Sequence, residues 1–252
     1  MSQTRPLPSP ADQDIAAGPA LEPSTQAFLD GLPNGPPIYS FTPAAARDVL
    51  TGVQTSVTVV APPADIEDRE LAIGPTGRTS VRIVRPAGLT GVLPVVIYTH
   101  GGGWVLGDKL THDRLVRDLA AGAGAVVVFV DYDRSPEARY PIALEQAYAV
   151  AEHVAQNAED FGADPARLAI AGDSVGGNMT AALALMAKAR RGPKIAAQLL
   201  FYPVTDASMA SGSYDTFADG PWLTRQAMAW YWDQYLPDKA RRSEIYASPL
   251  NA

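Results

Sequence analysis

Leu168-Ala-Ile-Ala-Gly172-Asp-Ser174-Val-Gly176-Gly-Asn178 is the stretch that decides how this chain folds. Its first four residues are an unbroken apolar run, the pattern of a strand buried on both faces. Its last residues open a segment at 175–191 in which Ala181, Leu183, Ala184, Leu185 and Met186 supply the apolar content of a helix. Lys188, Arg190 and Arg191 close that segment ahead of Gly192-Pro193, and cations followed by a Gly-Pro stop favour a helix end. Between strand and helix lies Gly-x-Ser-x-Gly. A serine on so sharp a turn is lifted out of the sheet as a nucleophile, and glycines permit a close backbone approach where a Cβ would clash. Chance alone yields about 0.09 such matches in a chain of this composition, so the motif needs support from elsewhere.

Working outward, Val95–Tyr98, Ala125–Val130 and Leu199–Phe201 are further apolar runs that read as strands buried on both faces. Helical segments near 110–122 and 141–160 separate them. Alternating strand and helix predicts an α/β fold with a mostly parallel sheet and helices on both faces. Leu71–Ile73 and Val81–Val84, with Gly74–Gly77 between them, predict a half-exposed strand pair. Residues 1–65 are proline-rich and largely irregular. Two short helices are predicted there, one capped by Ser24 and running to Leu32, the other opening at Thr42-Pro43 and running to Leu50. The stretch 211–250 holds Tyr214, Phe217, Trp222, Trp230, Tyr231, Trp232, Tyr235 and Tyr246 around a helix near 224–236. So many aromatics suit a lid or pocket wall, and suit a satellite core equally well.

The 252 residues are 47% hydrophobic and 19% charged, an ordinary globular balance. A net charge of −7 with scattered cations gives no nucleic-acid footprint. No run approaches the roughly 18 apolar residues of a membrane span, and Met1–Pro10 lacks the apolar core of a secretory signal, so a cytoplasmic protein is expected. The absence of cysteine excludes disulfides, thiolate catalysis and Cys-ligated metal centres, and three histidines, His100, His112 and His153, leave little for any metal site.

Support for the serine turn comes from His100-Gly101-Gly102-Gly103-Trp104, directly after the strand at 95–99. Consecutive glycines expose backbone N–H groups, which acyl transfer needs for the oxyanion of its tetrahedral intermediate. A phosphate cradle is the alternative. It fails, because Gly102-x-x-x-x-Gly107 continues with Asp108 rather than Lys-Ser/Thr, and no dinucleotide fingerprint is present.

HGGGW at 100–104, DYDRSPEARYP at 131–141, GDSVGGN at 172–178, YPVTD at 202–206 and the 220–235 stretch together resemble the hormone-sensitive-lipase-like esterases of the α/β-hydrolase superfamily. The resemblance implies that Ser174 is the nucleophile and that N–H groups of Gly102, Gly103 and Val175 form an oxyanion hole. It implies a helical cap built from residues 1–65 and 211–245 over a core at 66–252. No cofactor or metal is implied, and the substrate is a small-molecule ester. An apolar, aromatic cap suggests short or medium acyl chains or aryl esters.

One part of that machinery is absent from the sequence. The family places its triad acid and histidine after the nucleophile, and this chain has no histidine after His153. His100 reads as a loop-fixing residue, and His112 and His153 fall within helical segments. Asp206 reads as a turn residue and Asp173 as structural. The expectation is an α/β-hydrolase fold lacking its last two strands, either a fragment or an impaired enzyme. A non-catalytic small-molecule-binding homologue is the other reading. The strand near 196–201 would then be an unpaired sheet edge.

Overall fold

The structure, a computed structural model, describes residues 21–32 and 35–252. The proline-rich opening of the expected cap segment, residues 1–20, lies outside them. Strands β1 (Ala64–Leu71), β2 (Thr79–Pro86), β3 (Leu93–Thr99), β4 (Val126–Asp131), β5 (Ala163–Asp173) and β6 (Ala197–Phe201) form one sheet in the order β1-β2-β4-β3-β5-β6. β3 to β6 are mutually parallel, while β2 pairs antiparallel with both β4 and β1.

Alternation along the central strands divides the core. Val126, Val128 and Val130 of β4, Val95 and Ile97 of β3, and Leu168 and Ile170 of β5 face α4 (Ile142–Gln156) and α5 (Val175–Arg190). Val127 and Phe129, with Tyr98 and Ala171, face α3 (Asp113–Ala123) through Val116 and Ala120. Because both faces are covered, these strands carry no polar alternation, which is why they read as continuous apolar runs. Removing a fully buried chain such as Ile97 would cost about 2–5 kcal/mol through lost transfer energy and the cavity left behind.

Several expectations shift. The first strand runs over 64–71 and ends where it was expected to begin. Its sequence Ala-Asp-Ile-Glu-Asp-Arg-Glu-Leu is charged because β1 is an edge, where charges discourage pairing with other chains. β6 is not buried on both faces: Leu199 is 46% exposed, because the described sheet gives β6 a neighbour on one side only. α1 (Pro23–Asp30) is capped by Glu22, whose carboxylate accepts from the amides of Ser24 and Thr25, so Ser24 lies inside the first turn. α2 (Pro43–Thr55) has the expected Thr42 cap and runs five residues past Leu50. His112 stands at the N-cap of α3 rather than within it. A short α6 (Gly212–Thr216) precedes α7 (Arg225–Tyr235), the helix expected near 224–236.

Candidate active site

β5 passes into α5 through Ser174, whose φ of 53° and ψ of −117° lie outside the ordinary regions for a residue with a side chain. The strain is held by close packing. A Cβ on Gly176 would sit 2.0 Å from the carbonyl oxygen of Thr99, and one on Gly172 would sit 2.5 Å from the backbone of Gly176. Backbone meets backbone at both positions, so neither neighbour can give way. The Ser174 N–H donates to Phe201 O at 2.9 Å, and the Val204 N–H donates to Ser174 O at 3.1 Å. Asn178 of α5 donates through Nδ2 to Val204 O (2.7 Å) and Ala247 O (2.9 Å). The serine therefore stands, half-buried, between the ends of β5 and β6 on a turn fixed from both sides.

The glycine turn follows β3, the strand beside β5. Gly102 and Gly103 adopt φ of 111° and 65°, and a Cβ on Gly103 would enter the ring of Tyr231 on α7. The Gly102 carbonyl accepts from Val105 and Leu106 and closes the loop. Among the described residues, the amides of Gly102, Gly103 and Val175 donate to no protein acceptor. The Gly101 amide is used differently. It donates to Asp173 Oδ1 at 2.8 Å, and Tyr98 Oη donates to the same oxygen at 2.7 Å. Asp173 therefore ties the glycine turn to the residue preceding the nucleophile. Burial opposes the ionised carboxylate, but His112 (Nε2 to Oδ2, 3.7 Å) and the hydrogen bonds from Tyr98 and Gly101 hold its pKa below the usual range.

The three histidines are engaged elsewhere. His100 is fully buried, stacked on Tyr132 with ring centroids 4.1 Å apart, and its Nδ1 lies 2.7 Å from Gly101 O. Burial first, then the nearby His112, pushes its pKa down to about 3, so it is neutral and fixes the loop as expected. His112 Nδ1 meets Thr111 Oγ1 at 3.0 Å, and its other nitrogen faces Asp173. His153 on α4 approaches Asn157 and the Phe161 ring. Asp206 accepts from the backbone and hydroxyl of Ser208, a turn arrangement. No group of three or more His, Cys, Asp or Glu suited to a metal occurs among the described residues.

Remote supports hold the glycine turn as well. Trp104, buried at φ 61°, stacks on Tyr235 of α7 at 4.1 Å and packs against Trp232. Arg47 of α2 donates through Nε to Val105 O (2.8 Å) and through Nη2 to Ser135 O (2.9 Å), and it pairs with Glu137. The contribution of Arg47 has no signature in the sequence. A single arginine on an exposed-looking helix announces no partner 58 residues away.

What the arrangement can do follows from its parts. A strained hydroxyl, free backbone donors on two adjoining turns, and apolar aromatic surroundings suit a developing oxyanion in acyl transfer. Residues 96–252 match the family described as having the alpha/beta hydrolase fold. The chain belongs to that family, as a hormone-sensitive-lipase-like member of the α/β hydrolases, and thus to a class of hydrolytic enzymes. Among its relatives, carboxylesterase NlhH of Mycobacterium tuberculosis is 39% identical over 227 residues, covering 87% of this chain and 69% of NlhH. A putative alpha/beta hydrolase, R526, of Acanthamoeba polyphaga mimivirus is 34% identical, covering 92% and 66% respectively. A thermostable esterase from Pseudomonas putida superimposes with a TM-score of 0.90 at 49% identity, covering 94% of this chain and 74% of its own. The chain thus spans about two thirds of the length of the curated relatives named here. No helix among the described residues is long and apolar enough to cross a membrane.

Proposed function

We propose that this chain carries the serine nucleophile and the backbone oxyanion donors of a carboxylic-ester hydrolase of esterase or lipase type. Ser174 Oγ attacks the ester carbonyl carbon, giving up its proton to a base. The carbonyl oxygen becomes an oxyanion held by the N–H groups of Gly102, Gly103 and Val175. The alcohol leaves with a proton, and water then releases the acid from the acyl-serine. The observation that carries this reading is the bond from the Gly101 amide to Asp173. It joins the two turns one residue away from both the proposed nucleophile and the first proposed oxyanion donor.

We further read α1, α2 and residues 211–245 as a cap. Arg47 and Tyr231, which come from its two parts, both touch the glycine turn. A small-molecule ester with a short or medium acyl chain, or an aryl group, suits that apolar setting. The base is the missing element. None of the three histidines contacts Ser174, so this chain by itself should turn over slowly, with roughly 10³–10⁴-fold acceleration over water left to the oxyanion donors and binding. The same observation favours a second reading, a small-molecule-binding homologue that performs no reaction.

The two readings separate on chemical rescue. Hydrolysis of p-nitrophenyl butyrate is measured against imidazole concentration for the chain and for Ser174→Ala. The esterase reading expects an imidazole-dependent rate that Ser174→Ala lacks. Equal slopes for the two proteins, with tight ester binding in both, would leave the binding homologue standing.

A further inference from the structure

Tyr202 follows β6 directly and is the first residue of the YPVTD motif. Its φ is 37°, a left-handed value at which a bulky residue is a true outlier. Pro203 behind it restricts it further, because a residue before proline prefers extended backbone. A glycine would take this conformation freely. The side chain gains little from packing, because Tyr202 is 75% exposed. Strain kept at a large residue that contributes little to the core points to a role at a site.

The backbone shows which site. Phe201, immediately before Tyr202, accepts the amide of Ser174, and Val204, two residues after it, donates to the carbonyl of Ser174. Pro203 packs on the elbow so closely that a Cβ on Gly177 would lie 2.9 Å from the proline ring. Residues 201–204 thus wrap the nucleophile, and Tyr202 is the one large side chain that this wrap leaves open.

We infer that Tyr202 is a specificity-determining residue, a stacking platform beside Ser174 that selects ring-bearing esters over purely aliphatic ones. The inference rests on the ester-hydrolase reading of the site and deepens it by naming the substrate class. A flat aromatic offers an offset or edge contact to an aryl group that an alkyl group cannot reproduce. The hydroxyl is dispensable in this role.

The test uses binding, so it does not depend on turnover. Ser174→Ala is titrated with phenyl butyrate and with ethyl butyrate by NMR, alone and combined with Tyr202→Gly or Tyr202→Phe. Phenyl butyrate should bind more tightly, and Tyr202→Gly should weaken it about five- to twentyfold while changing ethyl butyrate less than twofold. Tyr202→Phe should keep the preference. Tyr202→Gly should melt no lower than its parent, since glycine relieves the strain. Equal losses for both esters, or none for either, overturn the inference and leave the hydrolase reading intact. Binding of neither ester to Ser174→Ala overturns the ester site itself and the inference with it.

Discussion

The two turns that meet at this site are held by different means. The nucleophile elbow is fixed largely by backbone, with Gly172 and Gly176 closing on each other and on Thr99 of β3, and the Ser174 amide and carbonyl bonded to Phe201 and Val204. The oxyanion turn has glycines of its own but is held largely by side chains from other elements. Asp173, Arg47, Tyr231, Tyr235 and Trp232 come from the elbow, α2 and α7. A turn built from close backbone contacts fails when its own residues change. A turn suspended from remote side chains fails when its supports do, and each support can be cut separately.

That contrast orders the expected effects. Gly176→Ala strikes backbone against backbone at 2.0 Å, and no rotamer relieves it. We expect a loss of about 3–5 kcal/mol or failure to fold, measured by thermal denaturation. A melting temperature within two or three degrees of wild type would mean that the elbow is looser than described.

Asp173→Ala comes next. It strands the Gly101 amide and the Tyr98 hydroxyl, both buried, at a cost of about 2–4 kcal/mol. The pH dependence sharpens this. The folded pKa of Asp173 is depressed, so its stabilisation is present above the unfolded value of about 3.9 and is lost as pH falls toward the folded value. Asp173→Asn should lose less stability than wild type between pH 5 and pH 3, as read from urea midpoints. Parallel curves would mean that Asp173 is not the group that titrates.

Arg47→Ala should cost about 1–2 kcal/mol, because the guanidinium is four-fifths buried and serves two carbonyls. Its signature is local. Amide exchange should quicken at 104–107 and stay unchanged at 174–178, and equal quickening at both turns would erase the distinction between them. Asp206→Asn removes only a turn contact and should move stability by less than about 0.5 kcal/mol.

The same contrast explains what was legible in the chain. Patterns that are local and period-bound could be read. These include the buried runs of β3 to β5, the helix after Ser174, the Thr42 cap and the two glycine motifs. Burial at the edges was only partly legible, because it depends on neighbours, although the reading of an incomplete sheet already places an unpaired edge near 196–201. β6 carries the apolar sequence Ala-Gln-Leu-Leu-Phe yet is exposed, and β1 is a strand despite four acids and a cation in eight residues. The exact contacts of the oxyanion turn's supports escaped for the same reason. Arg47 becomes recognisable only when the fold brings α2 to Val105, and the aromatics of α7 read as a lid or pocket wall without showing that Tyr231 abuts Gly103. Asp173 was read as structural, and it is, but its particular task of joining the two turns needed coordinates.

Everything proposed for the chemistry requires one hydroxyl and three amide protons to converge on a single carbonyl group, the serine oxygen at its carbon and the amides at its oxygen. Ser174 can be phosphonylated with a p-nitrophenyl alkylphosphonate and the amide resonances of the ¹⁵N-labelled chain compared before and after. The amides of Gly102, Gly103 and Val175 should move strongly downfield as they take up the phosphonyl oxygen, while Gly101, already bound to Asp173, should hardly move. An adduct on Ser174 that leaves those three amides where they were would contradict the account.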